Sequence, residues 1–294
     1  TIKNNIVNGK PLIYLENIEN IKIDQSFAEI ILIGCKNITI TGQNITHTDI
    51  AIELWRTNNT KIANNTIQNT DGVYLGYSFN NHIYNNTIQN NDKGIYIENS
   101  SDNHIYNNTI QNNYNGVYLR YSSNSCIYSN TIQNNDPVGI VIDHSSGNKI
   151  FFNNFINNKN HVNTFSDNQW TTTNNITYTY NATTHKNQLG NYWDTYTGTD
   201  TNGDGIGENP YGNDIRPLIQ PIWNYSIKDQ DKDDLNDIKE EAYGTDPANN
   251  DTDSDGLSDG DEVNVYGTDP ANNDTDKDGM PDGWEVQYGL NPLI

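Results

Sequence analysis

The sequence predicts an all-β protein whose main part is a parallel β-helix, a solenoid with about 22 residues per coil. The hexapeptide NNTIQN begins at Asn64, recurs at Asn85 and Asn107, and persists as SNTIQN at Ser129 and NNFINN at Asn153. Between these copies, apolar and polar residues alternate over short stretches, which is typical of strands and not of helices. Strands this short cannot bury an apolar face alone, so each coil is expected to stack on the next.

The apolar positions define the register of this stacking. One column precedes the core of the hexapeptide at steps of 22, 21, 22, 22 and 23 residues: Ile40, Ile62, Ile83, Ile105, Ile127 and Ile150. A second column follows five residues later: Ile45, Ile67, Ile88, Ile110, Ile132 and Phe155. A third strand in each coil reads apolar, polar, apolar, as in Val73-Tyr74-Leu75. Because stacked strands lie ~4.8 Å apart, these columns are predicted to fill the interior.

Asn accounts for 53 of the 294 residues, and the architecture explains this abundance. Corners between short strands need residues that tolerate a positive φ angle and whose side chains bond neighbouring backbone, and Asn does both. Stacked Asn amides can also bond one another along a column, as they do in cross-β assemblies. We therefore predict structural and not catalytic roles for most Asn residues.

The chain is expected to contain three segments. Residues 1–160 are predicted to form the β-helix, with early rungs in KPLIYLENI and NIENIKID. Residues 161–226 are predicted to form a β-rich C-terminal cap and a linker, because the 22-residue period stops and Ile176–Tyr180 alternates like a strand. Residues 227–294 are predicted to form a small calcium-binding repeat domain. The aromatic residues expected to cover the C-terminal end of the helix are Trp170, Tyr192, Trp193 and Tyr196.

The chain begins at Thr1 without Met or a signal peptide, and the helix is expected to start at essentially the first residue. An uncapped first rung exposes unpaired backbone groups, which natural proteins usually cover. We therefore expect that a preceding segment was removed or that another molecule stacks there. The sequence contains no run of ~18 apolar residues of the kind that a membrane span needs, so no direct membrane span is predicted.

The acidic residues are concentrated at one end of the chain. Of the formal net charge of −22, residues 227–294 supply most, with 20 acidic against 4 basic residues. Such a polyanion repels phosphate backbones and no basic patch elsewhere offsets it, so nucleic acid is not expected as a partner.

The two cysteines are not expected to form a disulfide. Cys35 and Cys126 fall in different repeats, several rungs apart. A disulfide requires a Cα separation of ~5.5 Å. Both thiols are instead expected to be buried.

The acidic segment repeats the oxygen-ligand spacing of a Ca²⁺ loop, in which positions 1, 3, 5, 9 and 12 supply side chains, position 6 makes a sharp turn and position 7 supplies a carbonyl. The loop DTDSDGLSDGDE places at these positions Asp251, Asp253, Asp255, Asp259 and Glu262, with Leu257 at position 7. The loop DTDKDGMPDGWE places there Asp274, Asp276, Asp278, Asp282 and Glu285, with Met280 at position 7. The loop DQDKDDLNDIKE offers Asp229, Asp231, Asp233, Asp237 and Glu240, with Leu235 at position 7, but has Asp234 where Gly is wanted.

Duplication supports the prediction of calcium loops. The nonapeptide YGTDPANND occurs at Tyr243 and again at Tyr266, and YGLNP at Tyr288 is an altered copy. A further candidate loop, DTNGDGIGE, has the first half of the spacing in Asp200, Asn202 and Asp204, but Tyr211 stands at position 12. Because so many neighbouring carboxylates repel one another, residues 227–294 are expected to fold only with Ca²⁺.

Columns of polar and aromatic side chains are predicted on the outer surface of the helix. Two aromatic columns suit sugar faces, other solenoids or simple strand packing, and their members are candidate ligand-binding residues: Tyr74, Tyr96 and Tyr118, and Tyr84, Tyr106 and Tyr128. A Gln column is formed by Gln68, Gln89, Gln111 and Gln133. His82, His104 and Cys126 occupy one place in successive rungs, either as a soft-metal site or as a shared surface position.

No pattern of acids and bases supports catalysis on this surface. A lyase or epimerase needs a base, usually with a Lys, an Arg or a metal beside it. Acidic residues such as Glu53 and Asp143 and basic residues such as Arg120 are scattered. We expect no acid and base pair in adjacent rungs at one position.

The twelve N-x-S/T sequons suit an extracellular glycoprotein, although an Asn-rich chain generates many by chance. Ten of them, which precede the calcium loops, are candidate glycosylation sites: Asn37, Asn44, Asn58, Asn64, Asn85, Asn99, Asn107, Asn175, Asn181 and Asn224.

The segments SSDNHIYNNTIQNN and LGNYWDTYTGTDTNGDGIGENPYG resemble NosD-type β-helix surface proteins of archaea and bacteria, over about residues 15–220. The resemblance implies a right-handed parallel β-helix and a place in the cell envelope. It also implies a link to copper, because a periplasmic copper-maturation protein gives the family its name, and the fold group includes carbohydrate lyases and epimerases. The acidic loops resemble the thrombospondin type 3 calcium repeats of microbial surface proteins.

The sequence therefore predicts a secreted or cell-surface β-solenoid with a structural or adhesive function, stabilised by Ca²⁺. Its expected partners are other copies of the chain, joined head to tail into filaments, or proteins and glycans of the envelope. Two alternatives stay open, namely a carbohydrate-active enzyme of the lyase or epimerase type and a copper-handling protein.

Overall fold

A computed structural model of the chain describes residues 5–294, so the expected start of the helix at residues 1–4 lies outside the described part. The described residues form two compact units. The first comprises the chain up to Thr171 together with Gly190–Thr201 and Ile206–Ile222. The second comprises Thr172–Leu189, Asn202–Gly205 and Trp223–Ile294. Residues 161–226 therefore contribute to both units.

The first unit is the predicted parallel β-helix, with three sheets running along its length. Within the described residues, sheet I consists of β1 (Ile6–Val7), β2 (Lys10–Glu16), β4 (Glu29–Ile33), β7 (Ile52–Trp55), β10 (Val73–Gly76), β13 (Lys93–Glu98), β16 (Asn115–Arg120), β19 (Val138–Asp143) and β22 (Asn160–Thr164). Sheet II consists of β3 (Glu19–Ile23), β5 (Lys36–Thr41), β8 (Lys61–Ala63), β11 (His82–Tyr84), β14 (His104–Tyr106), β17 (Cys126–Tyr128) and β20 (Lys149–Phe151). Sheet III consists of β6 (Asn44–Thr46), β9 (Thr66–Gln68), β12 (Thr87–Gln89), β15 (Thr109–Gln111), β18 (Thr131–Gln133), β21 (Asn154–Ile156) and β25 (Tyr192–Trp193).

The interior columns are confirmed by the strand register. Ile83 lies opposite Ile105 and Ile105 opposite Ile127, each pair in parallel register. All three side chains are fully buried. The second column behaves in the same way, since Ile88 lies opposite Ile110 and both are buried. The predicted period of about 22 residues is therefore the length of one coil.

The first rung is only partly open within the described residues. Strand β1 pairs with β2 in an antiparallel arrangement, so the outer edge of β2 in sheet I is paired. Sheets II and III end at β3 and β6. The early rungs predicted around Lys10–Glu16 and Glu19–Ile23 are confirmed as strands.

The first Asn of each hexapeptide occupies a corner with left-handed backbone. The φ angles of Asn64, Asn85 and Asn107 are 58°, 54° and 54°. The last Asn of the hexapeptide does the same at Asn69 and Asn90, with φ angles of 55° and 56°. Asn tolerates this conformation better than other residues with a side chain, which confirms the predicted role of Asn at the corners.

The second Asn of each hexapeptide forms a buried amide column. The Asn108 amide donates to Oδ1 of Asn130 at 3.0 Å and to the carbonyl oxygen of Ile83 at 2.8 Å. Its own Oδ1 accepts from the backbone N–H of Asn86 at 3.0 Å. Successive members of this column are Gln43, Asn65, Asn86, Asn108, Asn130, Asn153 and Asn191. Each amide is thus satisfied by the coil beside it.

This column ends on the carboxylate of Asp214. Oδ2 of Asp214 accepts from the backbone N–H of Asn191 at 2.7 Å and from Nε1 of Trp193 at 2.9 Å. Oδ1 accepts from the backbone N–H of Arg216 at 3.0 Å. Burial raises the pKa of Asp214 to about 6, although these donors act in the opposite direction. A group that only accepts hydrogen bonds therefore closes the column.

Aromatic packing closes the C-terminal end of the apolar interior of the first unit. The rings of Phe155 and Trp193 stack with centroids 4.3 Å apart. Trp170 and Trp193 are buried within the main hydrophobic cluster, and Tyr196 packs against it. The predicted packing role of these residues is confirmed. Tyr192 is half-buried, as the neighbour of Trp193 in β25.

The second unit contains a small sheet and three short helices in the described residues. Sheet IV is antiparallel and consists of β23 (Ile176–Tyr180), β24 (Thr183–Asn187) and β26 (Ser226–Ile227). The helices are α1 (Asp237–Tyr243), α2 (Asp259–Asp261), which continues as a π-helical turn (Glu262–Tyr266), and α3 (Asp282–Tyr288). A 3₁₀ turn spans Ile222–Asn224. The predicted strand Ile176–Tyr180 is confirmed, and it belongs to this unit.

The two cysteines are buried and form no disulfide, as expected.

Replacing Asn108 by Ala should lower the free energy of unfolding of the full chain by about 2 to 4 kcal/mol, because buried backbone groups that it bonds would lose their partners. Urea denaturation followed by circular dichroism measures this effect. The matched control is Asn107→Gly at a φ of 54°, which should change stability by less than about 0.5 kcal/mol. Equal losses in the two variants would contradict the assigned role of the column.

The raised pKa of Asp214 predicts a pH dependence of stability. Its folded pKa of about 6 exceeds the ordinary Asp value of 3.8, so the contribution to stability is present below about pH 4 and is lost as the pH rises through about 6. The free energy of unfolding should fall by up to ~3 kcal/mol over this range. The Asp214→Asn variant should lack this part of the slope. Parallel slopes for the two proteins would show that Asp214 does not titrate in this way.

Candidate metal centre

Three acidic loops in the second unit bring carboxylates together as the spacing predicts. Each of three triplets places one oxygen from every residue within 4.8 Å of the others: Asp229, Asp231 and Asp233; Asp251, Asp253 and Asp255; Asp274, Asp276 and Asp278. These are positions 1, 3 and 5 of the three loops. A cation could therefore contact three carboxylates in each loop.

The turn at position 6 folds alike in all three loops. Gly256 and Gly279 have φ angles of 102° and 97°, and Asp234 adopts 73° in the same left-handed region. In each loop the carboxylate at position 1 accepts the backbone N–H of position 6, at 3.2 Å for Asp229 with Asp234. Asp is among the residues that tolerate this conformation, so Asp234 replaces the missing Gly.

The side chains at positions 9 and 12 lie on the same side of a helix, because in each loop a helix starts at position 9. Residues three apart on a helix lie on one face. The helices α1, α2 and α3 begin at Asp237, Asp259 and Asp282. All six carboxylates at positions 9 and 12 are buried: Asp237, Glu240, Asp259, Glu262, Asp282 and Glu285. The position 7 residues Leu235 and Leu257 bury apolar side chains beside them.

Several of these carboxylate oxygens have no hydrogen-bond partner among the described residues. This holds for both oxygens of Asp231 and Glu240, and for one oxygen each of Asp251, Asp253, Glu262, Asp276 and Glu285. Buried carboxylates without donors are costly unless a cation compensates them. The donor set consists of oxygens alone, which suits a hard divalent cation.

The pKa values of several loop carboxylates are raised, because these groups are buried and lie close to one another. Burial, followed by the charges of neighbouring Asp residues, raises the pKa of Glu240 to about 9. Burial likewise raises the pKa of Glu262 to about 8, with Asp253 and Asp255 contributing. The pKa values of Asp231 and Asp253 are raised to about 6 for the same reasons. Ionising Glu240 and Glu262 at neutral pH therefore requires a compensating positive charge.

Consecutive loops are joined by a contact that the sequence analysis missed. Oδ2 of Asp233 accepts the backbone N–H of Gly260 at 2.8 Å, and Oδ2 of Asp255 accepts that of Gly283 at 2.6 Å. A Cβ atom at Gly260 would lie 1.8 Å from the Asp233 carbonyl oxygen. The signal in the sequence is the Gly at position 10 of the second and third loops, which permits this close approach.

The same contact brings carboxylates of two loops together. Oxygens of Asp255, Glu262 and Asp282 lie within 4.8 Å of one another. Asp255 and Glu262 belong to the second loop, whereas Asp282 starts the helix of the third. The first loop is fixed in turn to sheet IV, because Asp237 accepts the backbone N–H of Thr177 at 2.9 Å.

The fourth candidate loop has a different arrangement. Asp200 belongs to the first unit, and Asn202 and Asp204 belong to the second. Oδ2 of Asp204 accepts from the Asn202 amide at 3.0 Å and from the Asn187 amide at 3.1 Å. Glu208 accepts from Thr201 and Thr199. Metal binding at this loop stays a prediction.

The aromatic columns on the helix lie in register, with one exception to their predicted exposure. The rings of Tyr84 and Tyr106 stack at 4.9 Å, and those of Tyr106 and Tyr128 at 5.0 Å. Tyr128 continues the outward column in register with Tyr106, but it is 1% exposed and therefore not open to a ligand, contrary to its prediction as a ligand-binding residue. Its ring stacks on the buried ring of Phe151 at 5.7 Å. The Gln column is also in register, for example with Gln111 donating to Gln89 at 2.7 Å.

Sheet I carries an acid and base series that was not expected. Arg120 lies opposite Glu98 on one side and Asp143 on the other. Nη1 of Arg120 is 3.2 Å from Oε1 of Glu98, and Nε is 3.6 Å from Oδ2 of Asp143. Tyr74 donates its hydroxyl to Glu98 at 3.1 Å. The expectation that no acid and base share a position in adjacent rungs is therefore wrong.

His82, His104 and Cys126 occupy one column of sheet II, as predicted. The two imidazole rings stack with centroids 4.9 Å apart and an interplanar angle of 16°. Burial lowers the pKa of His104 to about 4, and burial together with His104 lowers the pKa of His82 well below its usual range. Both rings are therefore neutral at pH 7.

The sequence pattern of the family described as "Periplasmic copper-binding protein (NosD)" matches residues 2–198 of the chain. The chain belongs to the NosD family. Copper is implied by the description of that family, and the column of His82, His104 and Cys126 is the candidate site for it. One ion at ~2 Å from each ligand nitrogen needs two nitrogens within ~4 Å, whereas these parallel rings stand a full rung apart. Of the close groups of three His, Cys, Asp or Glu found in residues 5–294, none contains a His or Cys. The column does not fit a shared copper ion.

Other comparisons concern the loops and the fold of this NosD-family chain. The bacterial TSP3 repeat matches residues 251–273 and 274–293, which contain the second and third loops. No curated protein matches the chain.

Solved structures match the chain at low identity and low TM-score. They include the A-module of mannuronan C-5 epimerase AlgE6 from Azotobacter vinelandii, with 15% identity, 54% of this chain and 55% of the other covered, and a TM-score of 0.34. A double mutant of the periplasmic alginate epimerase AlgG has 22% identity over 53% of this chain and 40% of the other, with a TM-score of 0.42. The chain thus spans about half the length of these two proteins.

The remaining candidate residues lie where modification or ligands could reach them. None of the ten candidate sequon Asn residues is buried. Tyr74, Tyr96 and Tyr118 are half-buried on the outer face of sheet I. Residues 5–294 contain no helix that is both long and apolar enough to cross a membrane.

Proposed function

We propose that the chain is an extracellular or cell-surface β-solenoid with a structural or adhesive function, whose C-terminal loops bind Ca²⁺. The observation that carries the proposal is the threefold repetition of a loop with carboxylates at positions 1, 3 and 5, closed by a buried Glu at position 12. Glu240 is fully buried, and neither of its oxygens has a hydrogen-bond partner among the described residues. A cation bound by both oxygens would satisfy it.

Calcium fits this donor set better than other common metals. Ca²⁺ accepts six to eight oxygen ligands in flexible geometry, often with a bidentate Glu at position 12. Mg²⁺ demands a smaller octahedral site and keeps several waters, and Zn²⁺ prefers nitrogen and sulfur. The ligands belong to three successive loops, so the segment would hold three ions in a row.

The remainder of the chain suits an envelope or extracellular setting. The family description is periplasmic, and the exposed sequons would accept glycans in a glycoprotein. Strands β3 and β6 end their sheets within the described residues. A second copy adding strands at these edges would extend the solenoid head to tail, and such contacts need not close into a ring. Self-association or contact with envelope proteins and glycans is therefore the proposed mode of action.

Chelation should unfold the loops and leave the helix intact, because amides hold the helix and only carboxylates line the loops. In the full chain treated with EDTA, limited proteolysis should cut within residues 229–285 first, and Ca²⁺ should protect these sites while Mg²⁺ at equal concentration protects them less. Mass spectrometry locates the cuts. Loops that resist protease equally with EDTA and with Ca²⁺ would refute the proposal.

The Glu262→Gln variant should bind Ca²⁺ at the second loop at least tenfold more weakly, because it loses a charged ligand. The same change should leave the calcium-free protein as stable or more stable, since a neutral amide does not have to take up a proton on folding, as Glu262 with its raised pKa does. Isothermal calorimetry and thermal unfolding with and without EDTA measure the two effects. The matched control is Asp261→Asn, an exposed neighbour in the same helix, which should behave as the wild type. Equal affinity in all three proteins would exclude Glu262 as a ligand.

A further inference from the structure

One corner of the β-helix, directly after each strand of sheet I, has an unusual composition. The backbone N–H of a member donates to the carbonyl oxygen of the residue that precedes the next member, such as Arg56 N–H to Gly76 at 3.0 Å and Tyr77 N–H to Glu98 at 3.1 Å. All have positive φ angles between 48° and 62°: Asn17, Gly34, Arg56, Tyr77, Asn99, Tyr121 and His144. The corner is thus one continuous column of left-handed backbone.

The residue types in this column are not those that the backbone favours. A bulky side chain at positive φ is strained, whereas Gly and Asn adopt it at low cost. Asn99 shows that Asn fits this corner, and the hexapeptide corners use Asn at most positions. Arg56, Tyr77 and Tyr121 therefore occupy strained positions in a column where Asn would serve. Strain of this kind is concentrated at ligand sites.

The strained side chains present aromatic faces to solvent. Tyr77 is 44% exposed and Tyr121 is 49% exposed. The ring of Trp55 lies 5.0 Å from that of Tyr77, and Gly76 leaves room for it, since a Cβ atom there would lie 2.7 Å from the Trp55 ring. At the other end of the column, the Tyr121 ring lies 5.1 Å from that of His144. A contiguous exposed apolar patch of this kind marks an interaction site or a ligand-binding groove.

The charged side chains between the aromatic rings form ion pairs with one another. The Arg120 guanidinium contacts Glu98 at 3.2 Å and lies over the Tyr121 ring at 5.2 Å. Asp143 lies 2.6 Å from Nδ1 of His144 and 3.6 Å from Nε of Arg120. The patch thus holds two carboxylates against the single guanidinium of Arg120, with Arg56 beside it in the column, so it has no excess positive charge to attract a polyanion. It offers several donors and acceptors in fixed positions.

We propose that this corner patch, formed by Trp55, Tyr77, Glu98, Arg120, Tyr121 and Asp143, binds a neutral glycan. The aromatic rings would stack on the apolar faces of sugar rings, and the Glu98, Arg120 and Asp143 series would bond the hydroxyl groups. A linear polymer lying along the helix axis meets a ring or a polar pair at each successive rung. The patch contains none of the calcium ligands, so the inference does not depend on the calcium loops.

Native affinity electrophoresis of the full chain tests the inference, with galactomannan or hydroxyethyl cellulose in the gel and alginate as the anionic comparison. The wild type should be retarded by at least one neutral polymer and not by alginate alone. The double variant Tyr77→Asn with Tyr121→Asn should bind at least tenfold more weakly. Its melting temperature should be unchanged or higher, because Asn relieves the strained backbone. A role limited to stability would lower the melting temperature instead.

The matched control is Tyr114→Asn, which removes a Tyr that is 58% exposed and lies outside the positive-φ residues. This variant should be retarded as strongly as the wild type. Trp55→Leu provides a second test of the patch and should also weaken retardation tenfold. No retardation of the wild type by either neutral polymer, retardation by alginate only, or undiminished retardation of the double variant would overturn the proposal. So would light scattering that shows a wild-type dimer lost in the double variant, because the patch would then bind a second copy.

Discussion

The β-helix depends on amide and hydroxyl groups that bond from one coil to the next in its buried corners. In one column the Asn side chains link successive coils: Asn108, for example, accepts from the coil before it and donates to one backbone carbonyl of that coil, to one of its own coil and to Oδ1 of Asn130 in the next. A parallel column of hydroxyls runs through Thr57, Ser78, Ser100, Ser122 and Ser145. Buried backbone groups at the bends would otherwise have no partner, at a cost of about 1–3 kcal/mol each. This requirement, more than apolar content, explains how a chain with 33% hydrophobic residues folds.

Columns of this kind need special residues at both ends, and the chain supplies them. At the start, the longer side chain of Gln43 reaches the carbonyl oxygen of Gln25 at 2.8 Å and that of Thr41 at 3.1 Å, where the coils are shorter. At the end, Asp214 receives N–H groups from Asn191, Trp193 and Arg216. An Asn in place of Asp214 would put its NH₂ group against these N–H donors, and two donors cannot form a hydrogen bond with each other. The change from amide to carboxylate thus marks the last coil.

The repeat made the interior and the loops predictable from the sequence, whereas residues defined by contacts between distant segments were not. The Ile columns, the Asn corners and the carboxylate spacing follow from local period and residue type. Asp214 lies beyond the last regular repeat, and Tyr128 is buried because its stack continues to Phe151. The series Glu98, Arg120 and Asp143 shares one register but no residue type, so repetition does not reveal it. Gly260 and Gly283 acquire meaning only through the approach of the preceding loop.

The two units satisfy buried polar groups in opposite ways. An amide both donates and accepts, so a stack of Asn residues is complete in itself and can be extended coil by coil without any ligand. A carboxylate only accepts, so a stack of Asp residues accumulates charge with every repeat and leaves oxygens such as those of Glu240 without donors. At Asp214, three N–H donors bond a single buried carboxylate. Three adjacent triplets of carboxylates hold more negative charge than the surrounding donors compensate, and a bound cation could supply the missing positive charge.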